Sequence, residues 1–365
     1  MKLFFIVLTF FRVAFVGDPQ VGSEKELSYA RKSIYSELQG RKDLDLVIVL
    51  GDIVNETTEL IAPSEASLDS LKCPWLRIHG NHDGNVPVPD TVFVRKGVRF
   101  ICMNNILTPS KGGLTRPQRQ WLDSLVRTAP KREKIVICTH IPISWCEDKD
   151  TVALSFANNP NVLLVCGHVH YVDRHRAFGV EEVMAGATCG SWWRGAKDGQ
   201  GIPYALQNCG APRGYFVADF RSCRKSWYQL AYKCVGREDL CSAHVLENGD
   251  VLVNVFGGSR DGVLEMKVSG KWVRAERAEV LAPECAKVIE SNSKASRSYR
   301  RSHADEFIPM RKRPSQHVWL LKNTGLKEGD EVKLRYKDHA MKFKQKKQLD
   351  SLLKSSCPSL FMHLY

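Results

Sequence analysis

The amino-acid sequence predicts an α/β fold in two parts: a layered α/β sandwich over residues 12–190, followed by a smaller, all-β, sandwich-like domain over residues 191–365. The length of 365 residues exceeds the usual size of one domain. Apolar strands alternate with helical patterns in the first part, and short strands with Gly or Asp turns fill the second. The charge divides at the same place. Residues 1–190 carry 22 Lys and Arg against 21 Asp and Glu, whereas residues 191–365 carry 31 against 19.

Strand and helix patterns alternate along the first part. Its strands are apolar without interruption, which is typical of a sheet that helices bury on both faces. The amphipathic pattern of 116–127, with Pro117 near its start, is typical of a helix. The predicted strands are 12–18, 44–52, 74–81, 99–105, 134–140 and 161–170, and the predicted helices are 24–39, 58–71, 116–127 and 151–157.

The second part differs from the first in composition and in the pattern of its strands. Residues 190–220, rich in Gly, Trp and Tyr, are predicted to form a long irregular loop. The polar, basic segment 290–303 lacks an apolar period and is predicted to be a mobile loop, with a nucleic-acid contact as the less favoured alternative. Short alternating strands predict an antiparallel sandwich, and they cover 226–234, 249–258, 262–273, 316–322, 330–338 and 341–349.

The cysteines and the N-terminus give opposite indications of the compartment. The twelve cysteines include no CxxC pair, and Cys102, Cys138 and Cys166 lie within apolar strands, which indicates free, buried thiols and favours the cytoplasm. The segment MKLFFIVLTFF, residues 1–11, resembles the first two regions of a signal peptide and favours export, although an extra apolar strand explains it equally. It is too short to span a membrane. The localisation therefore stays open between exported and cytoplasmic.

Polar side chains follow five of the predicted strands, at the point where each strand ends. In a layered α/β fold such side chains gather at one edge of the sheet, which is where ligands bind. Each alone is also explained by a cap, an Asx-rich turn or a surface histidine, but five strands that end in this way predict a metal site. The residues are Asp18 and Gln20 after the first strand, Asp52 after the second, Asn81, His82 and Asp83 after the third, His140 after the strand that begins at Lys134, and His168 and His170 after the last.

The residue types indicate which metal and which chemistry. A mixed shell of carboxylate oxygen and imidazole nitrogen suits Mn, Fe, Zn or Co better than Ca or Cu(I). Two ions need a carboxylate between them, and Asp52 offers one, since Gly51 permits close approach. Two metals roughly 3.5–4 Å apart acidify a bridging water and clamp the attacking and leaving oxygens of a phosphoryl displacement. His82 could then protonate the leaving oxygen, with Asp83 orienting its ring.

The motifs GDPQ, GDIVN, GNHD, TH and GHVH, in this order, resemble the five motifs of the calcineurin-like metallophosphoesterase superfamily, over about residues 12–190. The second part, with its GSWW and GIPY elements, resembles the C-terminal β domain of some bacterial members. The resemblance implies two divalent ions, of Mn, Fe or Zn, and His82 as the residue that assists the leaving group. It also implies the ligands, which are Asp18, His170 and Gln20 for the first metal, Asp52 as the bridge, and Asn81, His140 and His168 for the second.

Two departures from the superfamily pattern bear on activity. Gln20 stands where many members have histidine, and as a neutral, weaker ligand it predicts looser binding of the first metal. Asn55 and Glu56 stand where the phosphoprotein phosphatases of the calcineurin core type have Asp-Arg, and the downstream HGG of that subgroup is missing. Activity on phosphoserine or phosphothreonine is therefore disfavoured.

The predicted function is a metal-dependent phosphoesterase that hydrolyses a phosphate ester, such as a phosphorylated small molecule, with a metal-bridging hydroxide as the nucleophile. One alternative is a nuclease or phosphodiesterase of the same superfamily, whose basic second part would hold a polyanion such as nucleic acid. Another is a degenerate scaffold that binds a partner. Asp52, His168 and His170 are all present, which favours the enzyme over the scaffold.

The adjacent residues Trp192 and Trp193 in the GSWW motif leave two interpretations open. Their rings either line the mouth of the predicted metal site, where they would hold an organic group of the substrate, or pack at the interface between the two parts.

Overall fold

The computed structural model describes residues 10–86, 88–221 and 226–351. The predicted signal-like segment falls largely on residues 1–9, which lie outside the described residues. Within the described ranges, no helix is both long enough and apolar enough to cross a bilayer. The ten cysteines that these ranges contain are free, and nine of them are buried, as the scatter of cysteines predicts.

The strands and helices of the first part lie close to their predicted positions. The helix predicted at 116–127 has those bounds. Thr115 caps its N-terminus and forms a capping box with Gln118. The strands are β1 (Phe11–Val16), β2 (Leu46–Val49), β3 (Trp75–Arg77), β4 (Thr91–Arg95), β5 (Val98–Cys102), β6 (Ile106–Thr108), β7 (Lys111–Gly112), β8 (Lys134–Thr139), β9 (Val162–Cys166), β10 (Val172–Ala177) and β11 (Val180–Ala185). The helices are α1 (Glu24–Ala30), continued by a π-helical turn (Arg31–Tyr35) and α2 (Ser36–Gly40), then α3 (Ile61–Asp69), α4 (Arg116–Arg127) and α5 (Lys149–Ala153).

Within the described residues, the second part adds eleven strands and two helices. Its strands are β12 (Gly214–Phe220), β13 (Tyr228–Cys234), β14 (Cys241–Val245), β15 (Val251–Val255), β16 (Val263–Val268), β17 (Lys271–Arg274), β18 (Glu276–Ala278), β19 (Val318–Leu321), β20 (Glu331–Lys337), β21 (Lys342–Gln348) and β22 (Asp350–Ser351), and its helices are α6 (Pro283–Ser293) and α7 (Arg297–Ser302). The nine strands from β14 onward form two sheets, in the orders β18-β19-β15-β14-β22 and β17-β16-β20-β21. The predicted sandwich of short strands is thus confirmed.

Two sheets pack face to face in the first part, in the orders β13-β12-β1-β2-β3 and β10-β11-β9-β8-β5-β4. Val13 and Phe15 of β1 point into the core between the sheets, where Phe11 contacts Phe100 of the facing sheet. Ala14 and the other alternate residues of β1 point outward against α1 and α2. Because both faces of these strands are buried, they are continuously apolar, and the layered α/β prediction is confirmed.

Two strands of the first sheet come from the second part, which corrects the sequence prediction. Residues 214–220, predicted as part of an irregular loop, form β12, which pairs antiparallel with β1. Residues 228–234, predicted to lie in the second part's sandwich, form β13 and pair with β12. The apolar run GYFVADF of β12 directly follows a segment rich in Gly and Pro, so it was assigned to the same loop. For β13, the alternation of apolar and polar residues does not indicate which sheet a strand joins. The division between residues 190 and 191 stays a prediction.

The predicted mobile loop at 290–303 is wrong. Helix α6 continues to Ser293, and α7 begins after Ser296, whose side chain accepts a hydrogen bond from the backbone N–H of Tyr299. The ring of Tyr299 stacks on that of His303. No residue of α7 is buried, so its sequence carries no apolar period from which a helix could have been predicted.

A buried arginine joins the first part to the second. Arg174 of β10 is fully buried, and its guanidinium lies 2.8 Å from Oε1 of Glu181 and 2.8 Å from Oδ2 of Asp338, which follows β20. The same guanidinium donates to the backbone carbonyl of Gly257. Charges removed from water in this way are stable only while each keeps its partner.

We expect Arg174→Met to lower the free energy of unfolding by about 3–5 kcal/mol, because Glu181 and Asp338 lose the cation they share inside the protein. Urea denaturation measures the change. Arg176→Met is the matched control, since Arg176 lies on the same strand with an exposed side chain, and it should alter stability by less than about 0.5 kcal/mol. Equal effects of the two substitutions would contradict a structural role for the buried ion pair.

Candidate metal centre

The residues predicted from the strand ends converge at one edge of the two sheets. Nε2 of His140 lies 3.2 Å from Oδ2 of Asp52, 3.0 Å from Oδ1 of Asn81 and 3.2 Å from Nδ1 of His168. The candidate ligand atoms of Asp52, His140 and His168 all lie within 4.8 Å of one another. The structure therefore brings together the set of side chains predicted for the second metal.

The set predicted for the first metal is more widely spaced. Nε2 of His170 lies 3.9 Å from Oδ1 of Asp18. The amide nitrogen of Gln20 lies 3.5 Å from Oδ2 of Asp52, and its oxygen lies 3.9 Å from the thiol of Cys189. Gln20 thus contacts the carboxylate of Asp52 through its amide nitrogen, and its role as a ligand stays a prediction.

Hydrogen bonds to backbone carbonyls select the nitrogen that each buried imidazole presents to the centre. Nδ1 of His140 lies 2.7 Å from the carbonyl oxygen of Leu50, and Nδ1 of His170 lies 2.8 Å from that of Gly190. A nitrogen that faces a carbonyl carries the proton, which leaves the Nε2 lone pair of the neutral ring free to bind a cation.

Burial and the charges of neighbouring groups shift the pKa values at the centre in a way that favours a bound cation. Burial raises the pKa of Asp18 well above its ordinary value. Burial opposes a charge on His140, but the charge and hydrogen bond of Asp52, with the charge of Asp18, outweigh it and raise the pKa of His140 to about 9. Burial lowers the pKa values of His168 and His170 to about 4 in each case, so both rings are neutral near pH 7, in the form that binds metals. This donor set fits a divalent cation.

Five of the predicted ligands have a backbone conformation that non-glycine residues rarely adopt. Positive φ angles in such residues cost energy and persist only where surrounding contacts enforce them, which happens most often at functional sites. No sequence pattern discloses these angles. They are 45° at Asp18, 43° at Gln20, 49° at Asp52, 71° at His168 and 50° at His170.

Two motif glycines are required by close approach of the chain. A Cβ atom on Gly80 would lie 2.1 Å from the backbone nitrogen of Asp52, and one on Gly51 would lie 2.6 Å from Nδ1 of His140. The glycine of GNHD therefore lets its loop pack directly against the loop that carries Asp52.

The residue beside His82 differs from the one predicted. Nδ1 of His82 lies 2.7 Å from Oε1 of Glu56, an exposed carboxylate. Asp83, predicted to orient His82, instead accepts hydrogen bonds from the backbone N–H groups of Gly80, Asp52 and Val54, at 2.9, 3.1 and 3.3 Å. Asp83 thus holds the loop that carries Asp52, and Glu56 orients His82. The sequence places Glu56 within GDIVNE, but its spacing from His82 gives no signal of the contact.

The two tryptophans of GSWW have separate roles, so each interpretation holds for one of them. The ring of Trp192 lies 4.9 Å from that of His170 and 6.1 Å from that of His82, and it lines the centre. Trp193 is buried, and its Nε1 donates to the carbonyl oxygen of Pro19 at 2.8 Å. Sequence reasoning missed Trp145, which is 49% exposed and whose ring lies 6.5 Å from that of His168.

Imidazole nitrogens and buried carboxylates gathered at the strand ends of an α/β sandwich are a donor set that metal-dependent hydrolases use, the phosphoesterases among them. The model of the calcineurin-like phosphoesterase family matches residues 11–172, and the model of the C-terminal domain of these phosphoesterases matches residues 182–343. The chain belongs to the calcineurin-like phosphoesterase family.

Two curated relatives are similar to the first part of the chain. A 3',5'-cyclic-nucleotide phosphodiesterase from Nostoc sp. is 25% identical over 171 residues, which cover 41% of this chain and 64% of that protein. The 3',5'-cyclic adenosine monophosphate phosphodiesterase CpdA from Escherichia coli is 23% identical over 154 residues, which cover 35% of this chain and 55% of that protein. The chain thus spans less than two thirds of the length of either relative.

A solved structure also aligns with the chain. The crystal structure of a dimetal phosphatase from Danio rerio aligns over 68% of this chain and 96% of that chain, with 13% identity and a TM-score of 0.44.

Manganese is expected to stabilise the protein through this centre. At a free Mn²⁺ concentration of about 100 times Kd, binding to the folded state alone adds about 2.7 kcal/mol, which thermal melting detects as a rise in Tm. Asp52→Asn keeps the side-chain shape but removes the anion of the candidate ligand group, so we expect it to abolish most of that rise. Asp150→Asn, at an exposed position, is the control and should leave the rise intact. A full metal-induced rise in Asp52→Asn would exclude Asp52 as a ligand.

The two tryptophans should respond differently to truncation. Trp193→Ala is expected to lower the free energy of unfolding by about 3–5 kcal/mol, because it removes a buried ring. Trp192→Ala should cost less stability and instead raise KM for a substrate with a bulky organic group. Chemical denaturation and steady-state kinetics of both variants test this. If both variants lose stability and activity in parallel, Trp192 is also a packing residue.

Proposed function

We propose that the chain hydrolyses a phosphodiester by means of two divalent cations held at this centre. The convergence of Asp52, Asn81, His140 and His168 on one point carries the proposal. Asp18, Gln20 and His170 would hold the other cation, with Asp52 between the ions. When bound, two such ions acidify a bridging water and stabilise both the attacking and the leaving oxygens.

We infer that His82 acts on the leaving group. Its Nδ1 is committed to Glu56, which leaves Nε2 as the nitrogen that can exchange a proton with an oxygen of the substrate. The backbone N–H of His82 donates to Oδ1 of Asp52 at 2.8 Å, so the main chain that carries the ring is anchored beside this carboxylate.

The charge of Glu56 favours a diester over a monoester. Its exposed carboxylate stands beside His82, at the rim where a phosphate would approach the centre. A diester carries one negative charge near pH 7 and a monoester close to two, so the repulsion is greater for the monoester. The two curated relatives are named as phosphodiesterases of 3',5'-cyclic nucleotides, which supports the same choice.

Aromatic rings indicate where the organic part of the diester would bind. Trp192 and Trp145 flank the centre from the sides of His170 and His168 respectively. Flat apolar faces of this kind hold a planar organic group through dispersion and stacking. We therefore infer that the substrate carries an aromatic or heterocyclic group next to the scissile phosphate.

Relative rates on matched aryl esters test the choice. With Mn²⁺, kcat/KM for bis(p-nitrophenyl) phosphate is expected to exceed that for p-nitrophenyl phosphate. Glu56→Gln should raise the ratio of monoester to diester activity about fivefold, the effect of about 1 kcal/mol for an exposed charge. The ratio is the proper readout because any loss from misorienting His82 affects both substrates.

Glu59→Gln is the matched control, since Glu59 is an exposed glutamate in the short turn Thr58–Leu60 that follows Glu56. Its ratio should equal that of the wild type. Faster hydrolysis of the monoester by the wild-type protein would contradict the diester proposal. Loss of neither activity in Asp52→Asn would contradict the metal-dependent mechanism itself.

A further inference from the structure

One face of the sheet β17-β16-β20-β21 carries a concentration of positive charge. Residues of β20 alternate strictly, so that Val332, Leu334 and Tyr336 enter the core and their neighbours point to solvent. The register extends this solvent-facing surface across all four strands. We call it the lysine face, and its charged residues are Lys267, Arg274, Lys333, Arg335, Lys337, Lys342, Lys344 and Lys346, against Glu265 and Glu331.

The strand register places like charges directly opposite one another. Lys333 is paired with Lys267 on one side and with Lys346 on the other. Two further rows pair Arg335 with Lys344 and Lys337 with Lys342. Like charges in directly opposite positions destabilise a sheet, so this arrangement is unfavourable in the isolated protein.

The two carboxylates on the lysine face do not neutralise it. Glu265 pairs with Arg335 and Glu331 pairs with Lys346. In the part of the chain that the structure describes, the other lysines of the face form no ion pair, and all of them are exposed. These five are Lys267, Lys333, Lys337, Lys342 and Lys344. The face therefore presents an uncompensated charge that an external anion could match.

We propose that the lysine face docks onto a membrane surface that carries anionic lipid headgroups. Clusters of four to eight basic residues are attracted to such surfaces through the summed charge, without directional contacts. Apart from Arg274, which lies opposite Glu265 in the strand register, the charges of this face that form no ion pair among the described residues are lysines. Lysines act as point charges, and these spread in two dimensions over three strands, as a planar partner requires.

Nucleic acid fits the lysine face less well. Binding of single strands uses aromatic rings on which bases stack, but the ring of Trp272, the aromatic residue on this face, is covered by the guanidinium of Arg335 at 4.3 Å. Bidentate contacts to phosphate need free arginines, but Arg335 is engaged with Glu265 through two hydrogen bonds, and Arg274 lies directly opposite the same carboxylate in the strand register.

A depression at one end of the face offers room for a headgroup. Its volume is about 990 Å³, and Lys337, Lys342 and Lys344 are among the residues that line it. Asp261, Glu265 and Asp338 also line it, of which Glu265 is paired with Arg335 and Asp338 with Arg174.

Flotation of the full chain with lipid vesicles tests the proposal. The wild-type protein is expected to float with vesicles that contain phosphatidylserine, not with those of phosphatidylcholine alone, and to be released as salt screens the charges. The triple variant Lys333→Gln/Lys337→Gln/Lys344→Gln should bind about a hundredfold more weakly. Its Tm should equal or exceed that of the wild type, because cross-strand repulsion is removed.

The control is Lys42→Gln/Lys72→Gln/Lys131→Gln, which removes the same charge from exposed positions of the first part. It should bind like the wild type. Equal weakening of both triple variants would show that net charge alone acts and would overturn the proposal, as would failure of the wild type to float. Preferential binding of a DNA duplex by the lysine face would also overturn it, since the partner would then be nucleic acid.

Discussion

The burial of two carboxylates, Asp18 and Asp52, at the meeting edge of two sheets is the constraint on which the site depends. Neither anion is stable there without hydrogen-bond donors, and the backbone supplies them. The N–H of His168 donates to Asp18 at 3.0 Å, and that of His82 donates to Asp52 at 2.8 Å. Each carboxylate thereby ties the end of one strand to the loop that follows another. The contacts that determine the geometry of the centre therefore also anchor the loops.

The second part of the chain supports this edge from outside. Asn208 donates its backbone N–H to the carbonyl of His170, and Cys189, just before the second part begins, donates its own to the carbonyl of Asp18. Trp193 closes the same side through its bond to Pro19. The segment between β11 and β12 is irregular because it follows the ligand loops instead of a sheet. Its glycines and its two tryptophans with positive φ are consequences of that path.

The polar residues at the strand ends could be predicted for two reasons. The carboxyl ends of parallel strands meet at one edge of the sheet, and polar residues that end apolar runs contribute little to the packing of the sheet. The positive φ angles of the ligands could not be predicted, since they arise from contacts made by distant loops. Glu56 was missed because its partner His82 belongs to another motif. β12 and β13 were misplaced because alternation specifies a strand and a buried face, but not the neighbour. Helix α7 was missed because its capping residue, Ser296, is not followed by residues that form an apolar helix face.

The position of β12 has a consequence for synthesis of the chain. β1 is parallel to β2 on one side, but its other edge is covered only by β12, about two hundred residues later. Until Phe220 has left the ribosome, the emerging first sheet exposes an apolar strand with unpaired N–H and C=O groups, which is a template for aggregation. Closing so long a loop is also slow. The residues of the candidate metal centre therefore reach their final arrangement only after β12, at the start of the second part, has been made.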